Sequence, residues 1–241
     1  MVPQLQLQYC QLASLRILFR LFIYLFASLT TLTLLAQQPN KQINKGEQPL
    51  LADSTISYIL LNKTIPKKMT PIFLWGIIAY PELHDFTITI KIKNIRSAGA
   101  ARPTLWSLLK NKSNRKYKIF VNQDERLLGN AIFDKLPHNA KIGLLSHELA
   151  HILEYSKKSS LSLIGNGFLY TLSKSYKTSY EGKTDDIVIN RGFGWQIYDF
   201  TNYIMNHSTA SKKYKKFKVR HYKSPNELLI QITNHPLYKN N

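Results

Sequence analysis

The chain has 241 residues, 44% of them hydrophobic, with 10 Gly and 10 Pro: enough apolar side chain for a core, and too little Gly and Pro for a fibrous or low-complexity class. Its one Cys, Cys10, excludes a disulfide framework and a Cys-based zinc site, so a bound metal would have to be held by His and carboxylates. Lys and Arg number 33 against 14 Asp and Glu, a net charge of +19, which fits a polyanionic partner such as an anionic membrane surface, or simply a basic, unspecialised exterior.

Residues Leu21 to Ala36 are uncharged and mostly apolar, and they follow Arg16 and Arg20. This is the pattern of a signal peptide or an uncleaved membrane anchor within residues 1–36. As a helix the run would span about 24 Å, short of a hydrocarbon core of about 30 Å. The chain is therefore expected to be exported or membrane-anchored. Polar Gln37 to Gln48 reads as a linker within 37–49, and 50–241 as one domain. In that domain Leu50 to Leu61 reads as a helix, and Ile72 to Tyr80 as buried core. Asp85 to Ile95 alternates cleanly, with Phe86, Ile88, Ile90 and Ile92 on one face of a half-buried strand. Tyr117 to Val121 is a second strand, and Asp124 to Leu136 holds a short helix. A helix from about Asn139 to Tyr155 has Ile142, Leu145, Leu149, Ile152 and Leu153 as its apolar stripe. Ser159 to Ser175 is apolar, with a turn expected at Gly165-Asn166-Gly167. Another helix begins near Glu181 and breaks at Gly192-Phe193-Gly194. The run Lys212–Lys223 interleaves Lys with Tyr and Phe and reads as an exposed basic strand or tail. No nucleic-acid-binding motif accompanies it, so nucleic acid is not an expected partner. Pro225 to Ile232 is a last helix with Ser224 as its N-cap.

The chemistry concentrates in His147-Glu148-Leu149-Ala150-His151. Two His four residues apart lie about 400° round a helix, so both imidazoles leave one face. That spacing suits two adjacent positions on a tetrahedral zinc ion, with Glu148 within reach of a zinc-bound water. A catalytic site needs a third protein ligand. None of the other His (His84, His138, His207, His221, His235) follows the pair at three-His spacing, so a carboxylate is the better candidate. Glu181 and Asp185 are four apart and share a helix face, so one can bind metal while the other accepts a hydrogen bond from a ligand imidazole. Two plainer readings stand beside this one. Thr178-x-x-Glu181 also fits a capping box, and Asp185 and Asp186 also fit solvated surface acids.

His147-Glu148-x-x-His151 followed by Glu181-x-x-Thr184-Asp185 resembles the gluzincin zinc metallopeptidases, the thermolysin-like group. The resemblance covers about 45 residues, Ile142 to Asp186. It implies an α+β, zincin-like fold, in which a small mixed or antiparallel sheet packs on an active-site helix followed by a ligand helix. It also implies Zn2+ bound by His147, His151 and Glu181, Glu148 as catalytic base, and Asp185 orienting His147. The implied activity is hydrolysis of peptide bonds in a peptide or protein substrate. In zincins an edge strand beside the site pairs with extended substrate, and Tyr117 to Val121 is expected to serve here. This sequence departs from the family in its longer gap between His151 and Glu181. It also leaves the oxyanion-stabilising residue unassigned, with His207, His221 and Tyr180 as candidates. The alternative function is a non-catalytic, membrane-tethered basic binding protein with a structural or vestigial metal site.

Overall fold

A computed structural model describes residues 39–239; the apolar segment Leu21 to Ala36 lies outside them. Among the described residues no helix is long and apolar enough to cross a membrane. The elements, in chain order, are α1 (Asp53–Leu60), β1 (Lys63–Thr64), α2 (Thr70–Ile77), β2 (Thr87–Ile92), β3 (Gly99–Pro103), β4 (Lys116–Val121), α3 (Glu125–Leu128), α4 (His138–Lys157), α5 (Ser160–Leu172), α6 (Lys174–Asn190), α7 (Gly194–Asn202), α8 (Lys212–His221) and α9 (Pro225–Asn234). Residues 39–49 hold no helix or strand but are pinned to the body. Asn139 exchanges hydrogen bonds with the Ile43 backbone, and Ile43 is buried.

The fold is α+β. Its sheet is mixed, in the order β1-β2-β4-β3, parallel except for the antiparallel β3–β4 pair. The alternation in β2 places Ile88 beside Tyr117 and Ile90 beside Ile119 of β4 on one buried face. Ile92, the last member of that stripe, is 49% exposed, because the strand ends there at the rim of the sheet. Tyr117 to Val121 proves to be an interior strand with both edges paired, so it cannot take up a further chain. The edge strands are β1 and β3, and it is β3 that runs against α4.

α4 lies at the centre of the described body, packed by α2, α6, α7 and β3. Its burial is accordingly continuous from Ile142 to Leu153 and not confined to one stripe. Gly143 permits the closest of these approaches. A Cβ there would stand 2.1 Å from the backbone oxygen of Gln196 in α7. The helix stops where Arg115, itself buried, donates to the carbonyls of Tyr155 (3.2 Å) and Lys158 (2.6 Å) and to Ser160 Oγ (3.0 Å). A cation on the last orphan carbonyls ends α4 and seats the start of α5.

Two expectations give way here. α5 passes straight through Gly165-Asn166-Gly167, where a turn was expected; Ser159 caps its N-terminus by accepting from Ser162 N, and both glycines have open space around them. A glycine costs a helix about 1 kcal/mol, which a sound cap and packing on α6 can offset. Lys212–His221 is a helix, not an exposed strand or tail. Tyr214, Lys218 and His221 turn inward at helical spacing.

Candidate metal and catalytic site

α4 delivers His147, Glu148 and His151, all buried among the side chains of its neighbours. α6 delivers Glu181, Thr184 and Asp185 from its inner face, also buried. That helix starts at Lys174, capped by Ser173, seven residues before Glu181. Glu181 is therefore an interior helix residue and not a capping-box partner of Thr178, whose Oγ1 instead donates to Arg220 O (3.1 Å). Asp185 is 2% exposed, which removes the surface-acid reading for it. Asp186 does face outward, where it pairs with Lys223 and accepts from Gln231 Nε2 (2.6 Å).

The geometry is convergent. Glu181 Oε2 lies 3.1 Å from His147 Nε2 and 3.4 Å from His151 Nε2. Ligand atoms about 2.05 Å from a tetrahedral ion stand roughly 3.3 Å apart, which both Glu181 spacings match, and all three ligand atoms lie within 4.8 Å of one another. Among the described residues these three form the only His/Cys/Asp/Glu group with such spacing, and no fourth side chain of those types joins it. The group could hold a metal ion.

The outer nitrogens are engaged in a way that suits this. His147 Nδ1 donates to Asp185 Oδ1 (2.9 Å). Thr184 Oγ1 donates to Tyr180 O (3.0 Å) and so is free to accept from His151 Nδ1 (3.3 Å). With both Nδ1 atoms carrying the proton, both Nε2 lone pairs are left for a cation. Without a cation the cluster holds protons instead. Burial opposes a charged His147, but its bonds to Asp185 and Glu181 prevail and hold it up at about 10. Burial likewise opposes an ionised Glu181, but the neighbouring His151 and His147 keep its carboxyl well below the usual range.

Glu148 stands apart from the ligand group. It faces the backbone of Ala101 in β3, and β3 crosses so closely that a Cβ on Gly99 would stand 2.5 Å from Glu148 Oε1. Its other oxygen, Oε2, is buried without a hydrogen-bond partner. Burial raises its pKa, against the pull of His151 and His147. A buried, unpaired carboxylate oxygen needs an occupant beside it. His147, Glu148, Gly99, Tyr214, Lys218 and Tyr222 line a cavity of about 10 Å³, room for one water.

Four further residues join the site from outside the two motifs. Tyr170 of α5 donates its hydroxyl to Glu181 Oε1, the oxygen that does not face the imidazoles. Lys218 and Tyr222 reach the cavity from α8 and its C-terminal edge, the Lys218 ammonium 3.5 Å above the Tyr222 ring. The Tyr222 ring in turn sits 5.9 Å from the His147 ring. Burial lowers the Lys218 amine to about 8 and raises the Tyr222 phenol. Gly99 is the fourth. Of these, only the Lys218/Tyr222 pair left a signal in the sequence, as the spacing of Tyr214, Lys218 and Tyr222 on one helical face. None of His207, His221 and Tyr180 lines the cavity. Tyr180 stacks on the His151 ring (5.5 Å), and His221 meets Thr178 (3.3 Å).

Comparison with protein-family models, with curated proteins and with solved structures gives no match to this chain.

Proposed function

We propose that the protein is a zinc-dependent metallopeptidase of gluzincin type, exported or tethered to a membrane, with His147, His151 and Glu181 as the zinc ligands. The observation that carries the reading is the meeting of two Nε2 atoms and one carboxylate oxygen at 3.1–3.4 Å, with the proton of at least His147 turned to an outer acceptor. The donor set, His₂Glu with no Cys, suits zinc and leaves one position for water. Bound there, zinc would lower the pKa of a water and polarise a carbonyl.

The chain's own groups supply the rest. Glu148 Oε2, unpaired beside the water-sized cavity, takes the proton of the attacking water and carries it to the leaving amine. Its raised pKa makes it a better base than an exposed Glu. Asp185 and Thr184 fix the imidazole tautomers, and Tyr170 turns Glu181 so that Oε2 faces the two His. Tyr222 and Lys218 are the donors in reach of an oxyanion formed in the cavity. β3, the edge strand beside Glu148, takes the place of Tyr117 to Val121 as the strand nearest an extended peptide, which would have to displace the Tyr155 hydroxyl from Ala101 O (3.4 Å) to pair with it.

The test is Glu148→Gln in the full chain, assayed on denatured casein and a quenched-peptide library. The variant should keep its zinc and lose hydrolysis by a factor of at least about a thousand. Wild-type turnover in the variant would eliminate the mechanism. Zinc retained with no hydrolysis in either protein would favour a structural site.

A further inference from the structure

α5 is amphipathic the wrong way round. Leu161, Ile164, Phe168, Leu169 and Leu172 are 46–84% exposed, while Leu163 is its only buried residue. At about 100° per residue the five exposed side chains fall within an arc of roughly 140°, and Tyr170 and Leu163 project from the opposite side. The helix therefore shows solvent an apolar stripe and turns its Tyr toward Glu181. A second element extends the stripe. Leu105, Trp106 and Leu109, in the turn of 3₁₀ helix after β3, are 81–83% exposed, and this turn is bonded to the start of α5 through Ser160 Oγ donating to Leu108 O (2.6 Å).

The charge around the stripe is of one sign. Neither 86–123 nor 155–180, the segments that carry the two elements, contains an Asp or Glu. Lys112 Nζ donates to Lys157 O (2.9 Å), bringing two basic residues together near the N-terminal end of α5. Exposed Lys110 and Lys174 flank the same two elements in sequence. Apolar stripes of this size are rare on soluble surfaces and mark an interaction site. Aliphatic and aromatic side chains with Trp, flanked by Lys and carried on segments without acids, suit an anionic bilayer interface. With 13 residues α5 is about 20 Å long, too short to span a bilayer and suited to lie in its plane.

We infer that α5 and the 105–109 turn form an interfacial docking surface for an anionic lipid membrane. The exposed stripe enters the acyl boundary and the surrounding Lys residues meet the headgroups. Because Tyr170 touches Glu181 from the inner side of the same helix, the docked element is also one wall of the metal site. The inference stands on the exposed surface and does not depend on catalysis.

The test uses the full chain carrying Cys10→Ser and Phe168→Cys, labelled at residue 168 with an environment-sensitive fluorophore. A matched chain labelled at Ile230→Cys, exposed on α9, is the control. On vesicles of mixed phosphatidylcholine and phosphatidylglycerol, the label at 168 should shift to the blue and be quenched by brominated acyl chains. The label at 230 should stay aqueous, and vesicles of phosphatidylcholine alone should reduce binding by about tenfold or more. Three results would overturn the inference. The chain could bind vesicles while the label at 168 stays in water, which would place the contact elsewhere in the chain. The label could be buried without lipid at all dilutions, which would mean that another part of the chain covers the stripe. Its burial without lipid could grow with protein concentration, which would mean a second copy.

Discussion

Replacing Asp185 isolates what the outer partner of His147 does. The 2.9 Å bond joins two side chains only 3% and 6% exposed, so solvent cannot stand in for a lost acceptor. A hydrogen bond to an ionised partner is worth about 1.5–3 kcal/mol. Loss of such a partner to a metal-bound His costs about 10–100-fold in affinity, or roughly 1.4–2.7 kcal/mol, so the two scales agree. Asp185→Asn keeps an acceptor oxygen on the same stem and loses only the charge, and its zinc affinity should fall by about tenfold. Asp185→Ala leaves Nδ1–H without a partner and should lose about a hundredfold. In the metal-free chain His147 holds its proton up to about 10, so zinc must displace that proton and wild-type affinity should rise with pH toward that value. Removing Asp185 also loosens the proton, so the loss in the variants should be largest at high pH. The assay is competition against a chromophoric chelator at several pH values, with thermal unfolding in chelator to check that each variant folds. Equal affinity in Asp185→Ala and wild type at high pH would show that Asp185 does not support His147 as a ligand, as would a larger loss for Asn than for Ala.

Two glycines give independent tests. Gly99→Ala puts a Cβ 2.5 Å from Glu148 Oε1 and 3.0 Å from Leu144 Cδ1, so the carboxylate has to move. Zinc content should be unchanged while turnover falls by roughly a hundredfold, the usual cost of displacing a catalytic group by about 1 Å; unchanged turnover in a steady-state assay would separate Glu148 from the chemistry. Gly143→Ala drives a Cβ against the Gln196 backbone, which cannot rotate away, and should destabilise the fold by about 1–3 kcal/mol in denaturant titration. A neutral result would rule out close backbone contact between α4 and α7 at Gly143.

The parts of the site that were legible in the sequence are those that share one element. His147, Glu148 and His151 follow from helical period, and so does the common face of Glu181 and Asp185. Spacing alone does not say which carboxylate meets the imidazoles. That depends on how α6 lies across α4, and it places Glu181 at both Nε2 atoms and Asp185 at one Nδ1. The remaining contributors arrive from elements far apart in the chain. Tyr170 is one helix upstream of Glu181, Lys218 and Tyr222 come from about α8, and Gly99 comes from a strand too short and small-residued to show alternation. In two places composition hid a regular pattern. The Lys-rich run Lys212–Lys223 carries Tyr214, Lys218 and His221 at helical spacing, and the glycines at 165 and 167 interrupt an apolar repeat at 161, 164, 168 and 172 that α5 keeps. Which strand forms an edge is not legible in any one strand, because pairing partners are a property of the sheet, and β4 has neighbours on both sides.

The proposal stands or falls on Glu181 completing a metal centre with His147 and His151. Zinc content of the full chain, purified without chelator and measured by atomic emission, tests it in wild type against Glu181→Gln. Wild type should carry about one zinc per chain and the variant a substoichiometric, readily dialysed amount. Equal and stoichiometric zinc in both proteins, or none in the folded wild type after incubation with zinc, would contradict it.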